Sequence, residues 1–571
     1  MAISSAMVLL AAAGLPFRQL KNALNGVMPD GDFETLTEAT AVIVRVWLVL
    51  AAGLCALVVW LARRGGPAGR GGFASFRTDA LGLWRAIRPH HEDRIWLLWL
   101  ALVTASALAL RLPRIMAGLN HDEAYTVMTF GRSLGFALTN YHVPNNHIFH
   151  TVLVYLSARL LGPAPWAVRL PALVAGLATI LGIYFLGRDT YSRTTGLGAA
   201  LLLAVSSAHI GHSVKARGYA PLALFAVLAF WLACHACRRR NLLAWLLVAL
   251  FSGLGMFTIP VMVYPYAVLM AWLLAEGMLG SLGEGYRSRK DFLLFWTASG
   301  LATVLLVFAL YTPALMVTGP QRMVAIGRVA PNLDIGFGEA FLANLAQVSG
   351  AWAGGLPPYV RVLVVAGLAL SLLLHRRLSR HTVPMQVVAL VVVAGFIFVQ
   401  RPIYDARIWF SLLPLVALWV SAGTVGAIEL GQRSYCPRIP LAAGFLALGM
   451  MLAGAPVVRA LETLPENWAN KGREEQAVLF LKDVLRENDE IVAPPLRAPM
   501  MRYYARLHGV SQDYMDRDSE FGRLFLITYP GEGQSAEILL RSAGLEGHVD
   551  PVSARRLTGF MGLEIVEVVG R

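Results

Sequence analysis

The sequence predicts an all-α polytopic membrane protein that carries a small α/β domain at its C-terminal end. The first observation is composition: 57% of the 571 residues are hydrophobic and only 15% are charged, too little polar surface for a water-soluble globule of this size. The second is that apolar runs long enough to cross a bilayer alternate with short basic loops. The third is a change near residue 460, after which charged residues return and strand-like runs appear.

The formal charge of +14 comes from 49 Lys and Arg against 35 Asp and Glu. In a soluble chain such an excess would suggest nucleic-acid binding, but here much of it lies in short loops between apolar runs. Positive loops of this kind mark the cytoplasmic side of a membrane protein. The charge therefore indicates topology, and we expect no nucleic-acid partner.

A span length of about 20 apolar residues and the positive-inside rule together predict twelve spans. The predicted spans are Ala41 to Ala62, Ile95 to Leu110, Leu170 to Leu186, Gly196 to Ile210, Leu222 to Cys237, Leu242 to Phe257, Val261 to Glu276, Phe292 to Leu310, Val360 to Leu374, Val387 to Val399, Ile408 to Ile428 and Leu441 to Val458. The apolar run from Met1 to Pro16 would make a thirteenth if it inserts. We expect three regions: N-terminal segments with a basic cytoplasmic loop at 1–94, a transmembrane domain at 95–460, and the α/β domain at 461–571.

The short apolar run from Ile148 to Leu161 is interpreted as an amphipathic helix in the membrane interface rather than as a span. With this assignment the basic clusters that follow the neighbouring spans all fall on the cytoplasmic side. Residues 112–169 then form one long outer loop, and residues 312–358 form a second. The expected location is the inner (plasma) membrane, with these loops and the C-terminal domain on the extracytoplasmic side.

Six elements are predicted in the C-terminal domain from the periodicity of its apolar residues. Helices are expected at Glu474 to Arg486, Ala498 to Leu507 and Ala536 to Ala543, and strands at Glu490 to Ala493, Leu524 to Thr528 and Leu563 to Val569. No nucleotide-binding loop is recognisable in this region. We expect the domain to be structural or to contact an acceptor, and not to be catalytic.

An adjacent acidic pair, Asp122 and Glu123, follows the span that ends near Arg111. Carboxylates beside a membrane cavity are costly unless they are used or paired. The alternative is that they lie free in a water-filled loop or pair with Arg111 and Arg114. We predict that both residues of the pair belong to a catalytic site.

The same outer loop contains Asn140-Tyr-His-Val-Pro-Asn-Asn-His147. Imidazole and amide side chains bind hydroxyl groups or metal ions. The residues predicted to bind substrate here are His142, Asn145, Asn146 and His147. The alternative is a helix N-terminus capped by one of the two asparagines, and both roles are compatible.

Cations occur in two further outer clusters, His209-Ile-Gly-His-Ser-Val-Lys-Ala-Arg-Gly-Tyr219 and Arg401-Pro-Ile-Tyr-Asp-Ala-Arg407. Such side chains can bind a phosphate, and arginine does so through two parallel hydrogen bonds. The predicted phosphate-binding residues are Lys215, Arg217, Tyr219 and Arg407, and Tyr404 is predicted to contact substrate. The alternative is that the cations extend toward lipid head groups.

One acidic pair and several cations on the same outer side suggest that a sugar moves from a lipid-anchored phosphosugar to a hydroxyl acceptor. A carboxylate can take the proton from the acceptor as it attacks the anomeric carbon, and we assign this role to Asp122. Glu123 then orients the loop or binds a sugar hydroxyl. The leaving phosphate needs charge stabilisation rather than a proton donor, and attack opposite to it inverts the anomeric centre.

The order of motifs from residue 95 to residue 430 resembles the GT-C fold glycosyltransferases. The similarity is to the family related to protein O-mannosyltransferases and lipid A aminoarabinose transferase, glycosyltransferase family 39. The motifs are Arg111-Leu-Pro, Asp122-Glu123, Trp166-Ala-Val-Arg-Leu-Pro171, Leu186-Gly-Arg and Lys215-Ala-Arg-Gly-Tyr219.

This resemblance implies a GT-C fold and a hexosyl or pentosyl transferase. The implied partners are a polyprenyl-phosphate sugar donor, membrane lipids, and an extracytoplasmic glycan, lipid or protein acceptor. It also implies that Asp122 is the catalytic carboxylate and that Arg407 matches the family's Arg near the start of a late span. The chain departs from the family at His142-Val-Pro-Asn-Asn-His147, where relatives carry His-Pro-Pro or Lys-Pro-Pro, and no acidic residue follows Arg217. We assign no metal ligand, and a divalent metal ion stays open as a cofactor.

Two other functional classes compete with this interpretation. A lipid or solute transporter, or a flippase, would line a translocation path with charges inside its spans, and here charge is scarce within the spans. A non-catalytic assembly or sensor protein with an outer domain is the third class.

Overall fold

The computed structural model describes residues 2–27, 36–65, 72–88, 94–327, 334–401, 405–434, 472–516 and 521–571. Two sequence predictions lie outside these residues: the twelfth span from Leu441 to Val458, and the substrate contact assigned to Tyr404.

The N-terminal and membrane regions are helical. In order, the helices are α1 (Ala2–Ala13), α2 (Phe17–Val27), α3 (Glu38–Gly65), α4 (Gly72–Ile87), α5 (Arg94–Ile115), α6 (His121–Met128), α7 (Leu134–Thr139), α8 (Ile148–Leu161), α9 (Pro165–Thr190), α10 (Arg193–Val205), α11 (Ser207–Ser213), α12 (Tyr219–Arg238), α13 (Leu242–Thr258), α14 (Val263–Leu279), α15 (Arg289–Thr318), α16 (Pro320–Gly327), α17 (Phe337–Ala353), α18 (Pro358–Leu373), α19 (His375–Leu378), α20 (Met385–Gln400) and α21 (Leu413–Ser434).

Each of the eleven predicted spans in the described part of the chain coincides with apolar helix. Six helices are long and apolar enough to cross a membrane, or eight if the bent pairs α10 with α11 and α17 with α18 each count as one span. Three other predicted spans correspond to shorter apolar helices, at Thr40–Ala56, Leu242–Thr258 and Met385–Gln400. The multi-pass helical architecture is therefore confirmed, while the total of twelve or thirteen spans stays a prediction.

The segments between the spans show one agreement and one difference. Helix α8 has the bounds predicted for the interfacial helix. The second outer loop, predicted at 312–358, is instead largely helical, because α15 continues to Thr318 and α16 and α17 follow. Helix α17 is apolar and meets α18 at a bend of 117°, so this region contributes a helical wall rather than an extended loop.

The core of the bundle is formed mainly by α9, α10, α12 and α13, whose buried side chains form one apolar cluster. Glycine allows a close approach between two of these helices. A Cβ atom placed on Gly187 of α9 would lie 2.6 Å from the Cα of Gly196 on α10. This packing holds the end of α9 against the start of α10.

The C-terminal region forms a mixed four-stranded sheet with three helices. The helices are α22 (Arg473–Val484), α23 (Ala498–His508) and α24 (Ala536–Ala543), and the strands are β1 (Asp489–Val492), β2 (Arg523–Thr528), β3 (Val549–Phe560) and β4 (Leu563–Gly570). The strand order is β1-β2-β4-β3, with β1 and β2 parallel and the other pairs antiparallel. All six predicted elements are present, and β3 is the strand that the sequence analysis missed.

The C-terminal region packs directly on the loop that carries the acidic pair. The Tyr504 hydroxyl of α23 accepts a hydrogen bond of 2.9 Å from the backbone N–H of Leu119, and the Tyr503 hydroxyl donates to the carbonyl of Pro163. One apolar cluster joins Ala124 and Val127 of α6 to buried side chains of α22 and α23. The C-terminal region and the acidic pair therefore lie on the same face of the helical bundle.

Candidate active site

A cavity of about 370 Å³ lies where several separated segments meet on this face. It is bordered by the start of α6, helix α11, the connection from α11 to α12, the end of α17, and the 3₁₀ segment Ala406–Leu412. The residues that line it are Asn120, Asp122, Ala208, Gly211, His212, Lys215, Arg217, Tyr219, Ala351, Trp352, Asp405, Ala406 and Arg407. Five predicted site residues are among them, so the structure brings together one predicted catalytic carboxylate and all four predicted phosphate ligands.

The carboxylate of Asp122 faces this cavity. Asn120 caps α6 with its side chain, and Asp122 lies in the first turn, where the positive end of a helix favours an acidic side chain. The Asp122 side chain is 42% exposed, and its Oδ2 lies 3.5 Å from Nη2 of Arg217. This single, long contact leaves the carboxylate able to accept a proton from a bound molecule.

Glu123 is turned the other way and is fully buried. Its two oxygens accept hydrogen bonds of 2.8 Å each from Nε and Nη2 of Arg169. The backbone N–H groups of Ala216 and Asn120 donate to the same carboxylate at 2.6 and 3.1 Å. Glu123 thus connects α6, α9 and the connection from α11 to α12, and of its two predicted roles these contacts match the orienting one.

Arg169 also binds the chain that precedes α6. Its Nη1 donates to the carbonyls of Arg114 and Ile115 at 3.3 and 3.1 Å and to that of Ala117, and its Nη2 donates to Gly118 at 2.9 Å. These carbonyls lie at the C-terminal end of α5 and in the chain that follows it.

The alternative partners considered for the acidic pair, Arg111 and Arg114, do not contact it. Arg111 is buried between α5 and α11, where it donates to the carbonyls of Ala107 and Ala204 and lies 2.8 Å from Nδ1 of His209. Glu123 therefore pairs with Arg169 of α9 and not with an arginine close to it in sequence.

Burial alone would raise the pKa of Glu123, but the adjacent Arg169 guanidinium and the N–H donors of Ala216 and Asn120 reverse the effect and lower it. The carboxylate is thus ionised at neutral pH. Because a base must exchange a proton with substrate, the buried Glu123 carboxylate is not placed to act as one.

The four polar residues predicted to bind substrate bond mainly to the protein and do not line the cavity. Asn146 donates to the carbonyls of Ala137 and Asn140 and accepts from Thr151. Asn145 accepts from Arg217 and lies 3.4 Å from the carbonyl of Asp122.

His142 lies with its Nε2 3.0 Å from the hydroxyl of Tyr125 and its Nδ1 beside the side chain of Asn140. Burial and the positive charge of Arg322 lower the pKa of His142. Substrate contact by His142, Asn145, Asn146 and His147 stays a prediction, and their visible role is to hold the wall of the cavity.

His147 sets the position of the phosphate-binding segment. Its Nδ1 accepts a hydrogen bond of 2.9 Å from the N–H of Gly218, and its ring packs edge-on against Tyr219. Burial, reinforced by the charge of Arg217, lowers the pKa of His147 well below its usual range, so the ring is a neutral acceptor. A Cβ on Gly218 would lie 2.7 Å from Thr258 and 3.0 Å from His147, so this approach requires glycine.

The charges around the cavity are loosely paired. Arg217 lies 3.5 Å from Asp122, and Arg407 lies 3.5 Å from Asp405, with side chains of both residues in the second pair about half exposed. Lys215 is exposed and adds a third cation. Exposed pairs of this kind are weak, so Arg407 and Lys215 can turn to a phosphate, whereas Arg217 is buried and also donates to the side chain of Asn145.

The sequence analysis missed four residues of the site and its support. Trp352, His212 and Asp405 line the cavity, and Arg169 binds Glu123 behind it. Asp405 and His212 lie within the two outer clusters whose cations were predicted to bind phosphate, so their position in those clusters could have identified them. Trp352 lies in the segment assigned as a loop, where a single tryptophan among glycine and alanine was the available indication.

No group of three or more His, Cys, Asp or Glu side chains in the described ranges is arranged to hold a metal ion. The cavity itself offers two carboxylates and one imidazole, and the carboxylates face cations. A divalent cofactor therefore stays a prediction without a ligand set in the described part of the chain.

Comparisons with known proteins match parts of the chain. The family model of dolichyl-phosphate-mannose-protein mannosyltransferases matches residues 146–312. YkcB from Bacillus subtilis (strain 168), which carries a provisional mannosyltransferase name, is 33% identical over 120 residues. That alignment covers 21% of this chain and spans only 16% of the length of YkcB.

Two solved structures of ArnT from Cupriavidus metallidurans are similar over most of the chain. The apo structure has a TM-score of 0.53 at 13% identity and covers 82% of this chain and 97% of ArnT. The structure bound to undecaprenyl phosphate has a TM-score of 0.51 at 13% identity and covers 82% of this chain and 98% of ArnT. These likenesses confirm the GT-C fold that the sequence predicted.

Replacing Arg169 with methionine should destabilise the protein by about 3–5 kcal/mol, because Glu123 would then be a buried charge without its partner. The loss should be measured by denaturation of purified protein in detergent. Arg114→Met, in the adjacent segment, is the control, since no side-chain hydrogen bond places it against Glu123. Equal stability of the two variants would contradict the supporting role of the ion pair.

The same contact predicts a pH dependence. A carboxyl whose pKa is lowered on folding stabilises the protein above its unfolded pKa of about 4.3, and the contribution disappears as the pH falls through the lower folded value. The stability difference between the parent and Arg169→Met should therefore shrink below about pH 4.

Proposed function

We propose that this chain is an integral-membrane glycosyltransferase that moves a sugar from a polyprenyl-phosphate donor to an acceptor hydroxyl with inversion. The observation that carries the proposal is the convergence of Asp122, Lys215, Arg217 and Arg407 on one cavity. Two features of the relatives agree with it: the mannosyltransferase family model matches from just before α8 into α15, and the similar fold of ArnT has been solved with undecaprenyl phosphate.

Each residue has a chemical task in this reaction. The Asp122 carboxylate takes the proton of the acceptor hydroxyl while that oxygen attacks the anomeric carbon. The bond from this carbon to the phosphate oxygen breaks, and the phosphate leaves with the electron pair. Arg217, Lys215 and Arg407 stabilise the charge that develops on the phosphate. Attack from the side opposite to the leaving phosphate inverts the anomeric centre.

A translocation path is less compatible with this geometry. The cavity charges lie at the ends of helices and in connections, whereas a transporter places them along its spans. The sugar, hexosyl or pentosyl, and the acceptor, a glycan, lipid or protein, depend on the shape of the pocket. A labelled set of polyprenyl-phosphate sugars tests the class of reaction, because only a transferase releases polyprenyl phosphate in an acceptor-dependent way.

The proposed orientation places the cavity and the C-terminal region on the extracytoplasmic side of the inner membrane, because the basic connections then lie inside. A cysteine-free background with Ser542→Cys, on the surface of α24, should be labelled by an impermeant maleimide in intact cells. Arg376→Cys, at the other face, should be labelled only after the membrane is opened. The reverse pattern would contradict this orientation.

Asp122→Asn should lower transfer by roughly 100- to 10,000-fold, since it keeps the shape of the side chain and removes the base. Asp405→Asn is the matched control, because it removes a second carboxylate from the same cavity. Its effect should be much smaller. If Asp405→Asn is inactive and Asp122→Asn retains the parental rate, the base is assigned to the wrong carboxylate; if both retain it, the transferase proposal loses its main support.

Arg217→Ala should weaken binding of undecaprenyl phosphate by roughly 10- to 100-fold, the effect of losing a charged hydrogen bond. Arg217→Lys should fall between the parent and the alanine variant, because it keeps the charge and loses the planar fork. Arg159→Ala, an exposed arginine on α8, controls for loss of charge on this face. Binding should be measured with the purified protein, and unchanged affinity in Arg217→Ala would place the phosphate elsewhere.

A further inference from the structure

A second and larger cavity, of about 790 Å³, lies on the opposite face of the bundle. Helix α12 connects the two, since its first residue, Tyr219, lines the candidate active site and its last residue, Arg238, lines the second cavity. A helix of 20 residues is about 30 Å long, which is the thickness of the hydrocarbon core of a bilayer. The second cavity therefore lies at the other membrane surface.

The lining of this cavity is strongly basic. Its arginines are Arg85, Arg188, Arg193, Arg238, Arg239 and Arg380. Among the described residues that line it, Asp189 is the one carboxylate, and Asp189 is already occupied by protein donors. It accepts from Nε of Arg188 at 2.8 Å and from the indole of Trp231 at 2.9 Å, with His235 at 3.2 Å. Arg239 lies 3.3 Å from Glu284, and both of these side chains are mostly exposed. Among the described residues, the lining thus keeps an excess of positive charge.

The arginines affect each other across the cavity. Burial lowers the pKa of Arg380, and the positive charges of Arg238, Arg188 and Arg193 lower it further. Like charges held this close favour an anion between them. Guanidinium groups suit a phosphate in particular, because each presents two parallel donors.

Helix α4 forms one wall of the cavity and lies where lipid head groups would be. It contributes Gly82, Leu83, Arg85 and Ala86 to the lining. Its outer surface exposes large apolar side chains: Phe76 (42%), Leu81 (42%), Trp84 (60%) and Ile87 (40%).

The helix is fastened to the bundle through Asp79, which accepts from the N–H of Leu242 at 2.9 Å. A helix that is anchored on one side and apolar on its outer side lies in the membrane interface, so the cavity opens at the level of lipid head groups.

We propose that this cavity binds the phosphate of an anionic phospholipid head group. The arginines bind the phosphate oxygens, and the exposed apolar side of α4 contacts the acyl chains beside it. The proposal concerns a site at the membrane surface opposite the candidate active site and does not depend on the proposed transferase activity.

The test uses the full chain in detergent, with dioleoylphosphatidylglycerol as the anionic lipid and dioleoylphosphatidylcholine as the neutral one. Native mass spectrometry should show retained phosphatidylglycerol in preference to phosphatidylcholine. In Arg85→Gln combined with Arg380→Gln, affinity for phosphatidylglycerol should fall by roughly tenfold or more, because two cations near the head group are lost. Arg376→Gln combined with Arg377→Gln removes the same charge at the same face without touching the cavity, and should bind like the parent.

The results of these measurements distinguish lipid binding in the cavity from a general effect of interfacial charge and from binding of a free phosphate. Equal retention of both lipids, or equal loss in the two double variants, would overturn the proposal, since the arginines would then act only as general interfacial charge. Displacement of the bound lipid by millimolar inorganic phosphate would show that the site takes the free anion, and would overturn the assignment to a phospholipid. A thermal unfolding measurement on each variant keeps a folding defect from being taken for a binding defect.

Discussion

The buried ion pair between Glu123 and Arg169 is the interaction on which the candidate site depends. Removing two charges from water is costly, and such a pair stabilises a protein only when its remaining hydrogen-bonding groups are satisfied. Here they are: the carboxylate also accepts from Ala216 and Asn120, and the guanidinium also donates to the carbonyls at the end of α5. One pair therefore fixes the end of α5, the start of α6 and the chain that leads to Arg217.

This arrangement places two adjacent carboxylates in different environments. Glu123 is ionised, enclosed and fully bonded, whereas Asp122 is 42% exposed and has one long contact to Arg217. Because the two residues are consecutive in one helical turn, fixing the Glu123 side chain determines the direction of the Asp122 side chain. The positioning of a reactive group by rigid, fully bonded neighbours is the usual requirement for catalytic precision.

Much of the fold was predicted from the sequence, and the elements that were missed have physical explanations. The spans and the six C-terminal elements were found because apolar periodicity records burial directly. Strand β3 was missed because Pro551 and the adjacent Arg555 and Arg556 interrupt its pattern, and its pairing with β4 is irregular at these positions. Helix α17 was missed because the segment was treated as a loop between spans.

The site could be predicted in part. Asp122, Lys215, Arg217 and Arg407 were grouped from the sequence because they were assigned to one membrane face, and all four line one cavity. The burial of Glu123 was not predictable in the same way, because its partner lies 46 residues away and Arg111 and Arg114 were nearer in sequence. Which of several arginines reaches a carboxylate depends on helix packing, which periodicity does not encode.

The contact between Tyr504 and Leu119 has a consequence for how the protein is made. The two residues are 385 positions apart, so the loop that carries Asp122 emerges from the ribosome long before the helix that supports it. Non-local contacts of this kind form late, and domains generally fold in the order of synthesis. The membrane helices can therefore assemble while the cavity still lacks one of its supports. Its final shape is reached only when the C-terminal region that carries Tyr504 has been translated and folded, so synthesis of that region is the event that matures the site.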